Sequence, residues 1–166
     1  MSFDQRAFRK ALSCFASGVT VVTTLHPETR APAGVTVSAF CSLSLEPPLV
    51  LFCLGSRTAS LDAFRQFGHF GVNVLSENQR DMSNRFASRA IDKWQGVRYE
   101  TWDSGVPMLT GCLANLECEL VEARDGGDHI IFIGRPTRIK HHEVGSPLLY
   151  FRGGYMDLPP PGCGAG

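Results

Sequence analysis

The chain of 166 residues lacks an excess of either charge, because 16 lysines and arginines balance 16 aspartates and glutamates. A neutral surface creates no broad field that attracts nucleic acid or an anionic membrane, so we expect neither as a partner. The chain also lacks an apolar run of membrane-spanning length, and charges interrupt the N-terminal segment, where a secretion signal needs an apolar stretch. These absences predict a cytoplasmic protein that acts on small molecules.

Cysteine pairs of the C-x-x-C type are missing too, although six cysteines occur. Several of them stand in apolar, strand-like runs, which favours reduced and mostly buried thiols. The neighbouring His141 and His142 would point to opposite faces of a strand and make a poor chelate. The sequence therefore predicts neither a disulfide framework nor a metal site.

The length of the chain favours a single domain with a core that needs no disulfide or metal. Residues 159–166 contain only Pro, Gly, Cys and Ala, so we expect a domain over 1–158 and a flexible tail over 159–166. Seven or eight strand-like runs are joined by connections too short for parallel crossovers. The pattern predicts a mainly β, antiparallel barrel with a few short flanking helices.

Two segments have helical patterns. Apolar residues at helical spacing from Phe3 to Phe15 predict a helix packed on the core. Ser76 and Gln79 have the spacing of a capping box, which predicts a helix that runs to Ala87.

Residues 33–60 organise the predicted site. Alternation through the first half of this segment places a row of small hydroxyl side chains on one strand face, where a flat polar ligand can lie close to the backbone. Leu49 to Leu54 is a continuous apolar run, typical of a strand buried on both sides. The hydroxyl row consists of Thr36, Ser38, Ser42 and Ser44.

A helix is expected to begin after this second strand, with Ser56 or Thr58 as its N-cap. Unpaired N–H groups at a helix start, the hydroxyls of Ser56, Thr58 and Ser60, and the guanidinium of Arg57 would together make a phosphate seat. Ordinary helix capping beside a solvated arginine explains the same residues, so both interpretations stay open.

Two further features leave alternatives open. Arg85 and Arg89 lie one helical turn apart, so they suit either a ligand phosphate or ion pairs with nearby acidic residues. Residues 90–108 are polar, aromatic and interrupted by Gly and Pro, with one short strand predicted around 97–102. This segment suits either a lid or a dimer contact.

Seven short motifs follow one another along the chain. They are FASGVTVVT from Phe15, GVTVSAF from Gly34, SLSLEPPL from Ser42, FGVNVL from Phe70, RFA from Arg85, GDH from Gly127 and PLLYF from Pro147. Their order and spacing, between Phe3 and Tyr155, resemble the short-chain flavin reductases. This FMN-binding split-barrel family includes the reductase components of two-component flavin monooxygenases.

The resemblance implies an antiparallel split β-barrel that forms a homodimer, with flavin bound near the subunit interface. It also implies that NADH or NADPH reduces FMN or FAD, and that the reduced flavin passes to a partner oxygenase by diffusion. The chain has no Rossmann fingerprint with its ribose-reading acidic residue, which leaves NADH and NADPH both open.

The resemblance also assigns roles to residues. His129, in the Gly-Asp-His motif, matches the residue at the nicotinamide face; we expect this catalytic histidine to orient the nicotinamide, although a structural cap at a strand start also explains it. Ser38 and Ala39 replace a frequent Asn-Ser, and Arg57 stands near a frequent lysine, which leaves FMN and FAD both open. The expected flavin contacts are Thr36, Val37, Ser38 and Ala39 at the ring, Ser56, Arg57, Thr58 and Ser60 at the phosphate, Arg85, Phe86 and Ala87 in a second segment, and Tyr155 nearby.

Two other functions suit the same fold class. One is a flavin or haem binder without reductase activity, and the other is an FMN-dependent oxidase of the pyridoxine-phosphate oxidase type. The Gly-Asp-His motif favours the reductase, and the chain has no clear cluster of basic residues for the phosphate of an oxidase substrate.

Overall fold

The computed structural model describes residues 4–89 and 92–158, so the tail predicted over 159–166 lies outside the described residues. Strands dominate this part of the chain, which confirms the prediction of a mainly β, antiparallel architecture with few helices. The helices are α1 (Gln5–Leu12), α2 (Leu61–Gln66), a 3₁₀ turn (Glu77–Gln79) and α3 (Arg80–Ala87). The strands are β1 (Ser17–Gly18), β2 (Thr20–Leu25), β3 (Pro32–Val37), β4 (Phe40–Leu45), β5 (Pro48–Gly55), β6 (His69–Val74), β7 (Tyr99–Thr101), β8 (Pro107–Leu109), β9 (Ala114–Gly126), β10 (His129–His141), β11 (Leu149–Phe151) and β12 (Gly154–Met156).

Seven strands form the main sheet, in the order β3-β2-β6-β9-β10-β5-β4 with every neighbouring pair antiparallel. A three-stranded sheet (β1-β11-β12) and the two-stranded β7-β8 hairpin complete the set among the described residues. No helix among residues 4–89 and 92–158 is long and apolar enough to cross a membrane.

Four phenylalanine rings form the centre of the core between the sheet and α2. Phe52 and Phe132, on adjacent strands, stack with their centroids 5.0 Å apart, and Phe64 of α2 and Phe70 of β6 pack edge-on against Phe52. All four rings are buried. Edge-to-face and offset contacts add about 0.5–1.5 kcal/mol per pair to the burial of aromatic surface, so this cluster holds the central strands in register.

The β9-β10 hairpin is the longest element. Gly127 has a φ of +79° at the predicted Gly-Gly turn, a conformation that glycine adopts without steric cost. The two predicted strands on either side of Pro136 form one strand, because register shifts at Ile133/Gly134 and Pro136/Arg138 absorb the irregularity. The hairpin turn therefore lies at the tip of two long, paired strands.

The prediction that one strand face carries the whole row of hydroxyl side chains is wrong for Ser42 and Ser44. Strand β3 ends at Val37 and pairs with β2 at one edge of the main sheet, whereas β4 begins at Phe40 and pairs with β5 at the opposite edge. The alternation therefore does not continue through residues 38–39. Ser42 and Ser44 lie on β4, on either side of a register shift, and line neither of the cavities that Thr36 or Ser38 lines.

The apolar run of β5 predicts a strand buried on both sides, and this prediction is wrong. Val50, Phe52 and Leu54 are buried, while Leu51 and Cys53 are only half-buried. Leu51 and Cys53 line an apolar groove on the other face of the strand. The apolar residues on that face therefore mark an accessible surface of the single chain.

The N-terminal helix is not packed on the core either, although its apolar stripe had predicted this. Helix α1 contains no buried residue, and Leu12 is 57% exposed. Phe15, just beyond the helix, is 80% exposed. Asp4 caps the helix by accepting from the backbone N–H groups of Arg6 and Ala7, so local interactions define its start.

The capping box at residue 76 is confirmed. The side-chain oxygen Oε1 of Gln79 accepts from the backbone N–H of Ser76 at 3.0 Å, and the 3₁₀ turn leads into α3, which ends at Ala87 as predicted. Phe86 of α3 is fully buried in a second cluster with Leu109 and Leu148. This packing fixes the C-terminal end of α3 beside β3.

Candidate functional site

A cleft of about 760 Å³ lies where the end of β5, the β9-β10 turn and the end of α3 meet. Segments far apart in sequence converge here, which is typical of a ligand site. Six of the residues predicted from the sequence line this main cleft. They are Ser56, Arg57, Thr58, Phe86, Ala87 and His129.

The turn after β5 carries the predicted phosphate seat. The N–H of Thr58 donates to the carbonyl of Gly55 at 2.9 Å, and the N–H of Ser56 donates to the carbonyl of Asp128 at 2.9 Å. The first contact closes the turn, and the second ties it to the β9-β10 hairpin. The pairing of Gly55 with His129 across β5 and β10 extends the same connection.

The N-cap predicted at Ser56 or Thr58 is wrong, because α2 begins at Leu61 with Ser60 at the cap position. Across residues 4–89 and 92–158, the hydroxyls of Ser56, Thr58 and Ser60 make no hydrogen bond to another protein group. They therefore remain available to a ligand. Arg57 makes no hydrogen bond in that part of the chain either.

His129 and Asp128 form a close pair at the hairpin tip. Nδ1 of His129 lies 2.7 Å from Oδ1 of Asp128, and this hydrogen bond lowers the pKa of the Asp128 carboxyl, with a smaller contribution from Arg57. An ionised carboxylate only accepts hydrogen bonds, so Nδ1 of His129 carries the proton. Nε2 is therefore the ring nitrogen left to face a ligand.

The two arginines of α3 have different surroundings. The guanidinium of Arg85 donates to the carbonyl of Gln95 at 2.7 Å and does not line the main cleft. Arg89 does line it, although Arg85 was the residue that the family resemblance favoured. The structure thus places Arg85 in a loop contact and Arg89 at the site.

Lys93 is a cleft residue that the sequence analysis missed. Its ammonium group donates to the carbonyl of Phe86 at 3.0 Å, and burial lowers its pKa. Asp92 presents it, because the Asp92 carboxylate accepts from the backbone N–H groups of Trp94 and Gln95 and closes a tight turn. An aspartate before a lysine in an irregular segment is too common a pattern to reveal this placement.

The charges of the main cleft favour an anionic ligand. Arg57, Arg89 and Lys93 line it against a single carboxylate, that of Asp128. Guanidinium and ammonium groups beside free hydroxyls are the groups that bind phosphate in proteins. No group of His, Cys, Asp and Glu among the described residues has the arrangement of a metal site.

The predicted ring-contacting residues spread over neighbouring surfaces. Thr36 and Ser38 line a smaller cavity of about 370 Å³ with Tyr155, and Ala87 lies on the wall that this cavity shares with the main cleft. The Thr36 hydroxyl already donates to the carbonyl of Ser83 at 2.7 Å. Tyr155 is likewise held, through its hydroxyl, by Ser83 and Asn84.

Two other predicted contacts lie elsewhere. The Val37 side chain is buried in the core, and its carbonyl accepts from the Thr20 hydroxyl at 2.8 Å. Ala39 lies in the apolar groove beside β5. Phe86 lines the main cleft but is fully buried, with its ring edge-on to Trp94 at 4.9 Å, so core packing explains most of its surroundings.

The geometry fits a flavin. The main cleft joins a cationic, hydroxyl-rich turn, suited to a phosphate, to a wall of small residues along β3 and α3. Its volume falls within the range of about 300–1,000 Å³ that is common for small-molecule sites.

Comparisons of the sequence and of the structure with known proteins all indicate the same family. A family model described as "Flavin reductase like domain" matches residues 12–159. The flavin-dependent monooxygenase reductase subunit HsaB of Mycobacterium tuberculosis is 40% identical over 159 residues, covering 95% of this chain and 84% of HsaB. The FMN reductase (NADH) SmoA of Agrobacterium fabrum is 42% identical over 154 residues, covering 92% of this chain and 85% of SmoA.

A solved structure agrees with these sequence relatives. The NADH:FAD oxidoreductase SgcE6 of Streptomyces globisporus, in complex with NAD and FAD fragments, superposes with a TM-score of 0.89 at 32% identity. The alignment covers 96% of this chain and 95% of SgcE6. The match to the family model over most of the chain, together with these relatives, shows that the protein belongs to the flavin reductase like family.

Proposed function

We propose that the protein is an NADH-dependent flavin reductase that supplies reduced flavin to a partner monooxygenase. The observation that carries the proposal is the main cleft, where His129 of the hairpin lies beside the cationic turn over residues 56–58. Family membership supports a reductase over the two alternatives, a haem or flavin binder without activity and an oxidase of the pyridoxine-phosphate type. The names of SmoA and SgcE6 support NADH as the reductant.

The flavin phosphate is held by the turn after β5 in this proposal. The hydroxyls of Ser56, Thr58 and Ser60 donate to phosphate oxygens, and Arg57 and Arg89 neutralise their charge. Support comes from the position of these side chains along the cavity walls without hydrogen bonds to other described residues. The ring then lies toward Thr36, Ser38 and Ala87, with Tyr155 at the far side.

A bound flavin supplies the acceptor for the hydride that leaves C4 of the dihydronicotinamide. The protein has to hold the two rings at reacting distance, and no general base is needed. His129 serves this purpose as a positioning group, because Asp128 holds Nδ1 and leaves Nε2 to meet the nicotinamide carboxamide. The backbone hydrogen bond from Ser56 to Asp128 keeps this histidine at a fixed distance from the turn over residues 56–58, which we call the phosphate turn.

We also propose a homodimer. The exposed Leu12 and Phe15 and the half-buried Leu51 line one apolar groove of about 690 Å³. Contiguous apolar surface of this kind is typical of interfaces. Ser38 lines both this groove and the cavity of Tyr155, which supports a flavin site next to the interface.

The dimer is tested by light scattering on the purified protein. Phe15→Asp should give monomers, because a carboxylate would be buried without a partner in the apolar interface. The matched control is Val144→Asp, at a valine that is 88% exposed and does not line the groove. A wild-type protein that stays monomeric at all concentrations would exclude the dimer.

Three further parts of the proposal follow from these features. The partner is a monooxygenase component, supported by the name of HsaB as a monooxygenase reductase subunit. A single domain over 1–158 is supported by the family match to residues 12–159. A cytoplasmic location is supported by the free thiols of the five described cysteines, which suit a reducing compartment.

The decisive experiment measures NADH oxidation without oxygen, with and without added flavin. The nicotinamide absorbance should fall only in the presence of flavin, and the flavin absorbance should bleach in equal amount. The Ser56→Ala/Arg57→Ala double variant should lose affinity for FMN, while Ser42→Ala on β4 serves as the matched control. A protein that binds no flavin and leaves NADH unchanged would refute the proposal.

A further inference from the structure

The smaller cavity, of about 370 Å³, is lined by polar side chains of β3 and α3 and by two aromatic rings of β11 and β12. These rings, of Tyr150 and Tyr155, lie edge-on with their centroids 5.5 Å apart. The hydrogen bonds around the cavity decide which of its polar groups still have a proton to donate. The side chains with a hydroxyl or amide group in its walls are Thr36, Ser38, Ser83, Asn84, Tyr150 and Tyr155.

The Tyr155 hydroxyl fixes the orientation of the Asn84 amide. It lies 2.8 Å from Oγ of Ser83 and 2.9 Å from Oδ1 of Asn84. A carboxamide oxygen can only accept a hydrogen bond, whereas a serine hydroxyl can also donate one. The single hydroxyl proton of Tyr155 therefore goes to Asn84, and the hydroxyl of Ser83 supplies the proton of the other contact.

Asn84 is left with a free donor whose position is fixed. Because Oδ1 is held by Tyr155, the amide N–H groups form the other end of the side chain, and they make no hydrogen bond within residues 4–89 and 92–158. The proton of Thr36 is already donated to the carbonyl of Ser83. The hydroxyls of Ser38 and Tyr150 also make no hydrogen bond in that part of the chain, but no partner fixes their direction. Asn84 is therefore the donor that the protein has oriented in advance.

We propose that Asn84 donates an amide N–H to a carbonyl oxygen of the flavin ring and so favours the reduced flavin, with Tyr155 as its positioning residue. This inference rests on the proposed function, which directs the ring toward Thr36, Ser38 and Ala87 in the same cavity wall. Negative charge collects at the carbonyl edge of a flavin on reduction, so a fixed donor binds the reduced ring more strongly than the oxidised ring. The carboxamide of NADH also has a carbonyl oxygen, so the experiment has to distinguish the two sources.

The first test is the Asn84→Asp variant, whose carboxylate still accepts from Tyr155 but presents an oxygen in place of the N–H groups. Oxidised FMN and riboflavin should both bind about tenfold more weakly, because both contain the ring. Reduced FMN should lose about a further tenfold, which lowers the two-electron midpoint potential of the bound flavin by about 30 mV. The matched control is Asn78→Asp, at an exposed residue that lines neither the main cleft, the smaller cavity nor the apolar groove.

The second test is Tyr155→Phe, which leaves the Asn84 amide in place without the group that orients it. The midpoint potential should fall in the same direction as in Asn84→Asp, but by less, because the amide can still reach the ring after rotation. Thermal unfolding without flavin should give equal melting temperatures for Asn84→Asp and Asn78→Asp. A lower melting temperature of Asn84→Asp together with an unchanged midpoint potential would show a structural role and overturn the proposal.

Two other results would also contradict the proposal. If Asn84→Asp weakens FMN and leaves riboflavin binding unchanged, the new charge acts on the phosphate and not on the ring. If it raises the KM for NADH while flavin affinity and midpoint potential stay as in the wild type, the donor meets the nicotinamide. Failure of the inference also differs from failure of the proposed function, because in the first case the wild-type protein still binds flavin and oxidises NADH, and in the second case it does neither.

Discussion

Replacing Arg57 with alanine should weaken FMN binding by about tenfold and leave riboflavin binding unchanged. Arg57 lines the main cleft beside the hydroxyls of the phosphate turn and makes no hydrogen bond to other described residues. A hydrogen bond to a charged group contributes about 1.5–3 kcal/mol, and each 1.4 kcal/mol is about tenfold in affinity. Arg57 is exposed, so solvent screening favours the low end of that range.

The assay is a titration of flavin fluorescence with wild-type and variant protein. Riboflavin has no phosphate, so it reports every flavin contact except the one in question. Arg65→Ala is the matched control, because Arg65 is an exposed arginine of α2 paired with the exposed Asp125 at 3.4 Å, outside the main cleft. An Arg57→Ala variant that loses FMN and riboflavin affinity equally would show that Arg57 does not act on the phosphate.

Three further predictions concern the hairpin tip and the core. His129→Ala should raise the KM for NADH and keep turnover at saturating NADH, and steady-state kinetics that show lost turnover at unchanged KM would contradict a positioning role. In an NMR titration, the pKa of the Asp128 carboxyl should lie below its usual value of 3.8. The hydrogen bond between this carboxylate and His129 should therefore persist until the pH falls through the lowered pKa. In His129→Ala, the pKa of Asp128 should rise back toward 3.8. Gly134→Ala should lower the free energy of unfolding by about 1–3 kcal/mol in denaturant titrations, because a Cβ at this position would overlap the tip of the Phe70 ring. The control is Gly18→Ala, which has open space around it and should change the free energy of unfolding by less than about 0.5 kcal/mol.

Much of the fold follows from local sequence patterns. The β-branched run of β2 is a strand with every residue buried, and Gly127 and Asp128 make the β9-β10 turn between Gly126 and His129. The capping box at Ser76 forms because its contacts lie within four residues. In these elements the short-range preference and the tertiary structure agree, which is why a single sequence predicts them.

Long-range contacts decide the features that were predicted wrongly. The apolar stripe of α1 shows that this helix needs a covering surface, but it does not show whether the surface belongs to the same chain. Alternation over residues 33–45 does not reveal that β3 and β4 join opposite edges of one sheet. The spacing of apolar residues shows which face of an element is apolar, but it does not show which strand or helix covers that face.

The sequence likewise predicted only part of the candidate site, because long-range contacts decide the rest. The turn over residues 56–58 and His129 lie together because both stand at the ends of the adjacent strands β5 and β10. Arg85 and Arg89 are one turn apart, but Arg85 donates to the carbonyl of Gln95 and only Arg89 of the two lines the main cleft. This tertiary contact leaves no signal in the spacing of the two arginines. Lys93 enters the site through a tight turn in an irregular segment, where no periodic signal exists.

The hairpin and the phosphate turn are joined by backbone, and this has a consequence for the evolution of the site. The distance between His129 and the turn is set by the pairing of Gly55 with His129 and by the hydrogen bond from Ser56 N–H to the Asp128 carbonyl. Side-chain substitutions at Ser56, Arg57 or Thr58 leave both contacts in place. If these side chains hold the flavin phosphate as proposed, flavin affinity can therefore change through them while His129 keeps its position.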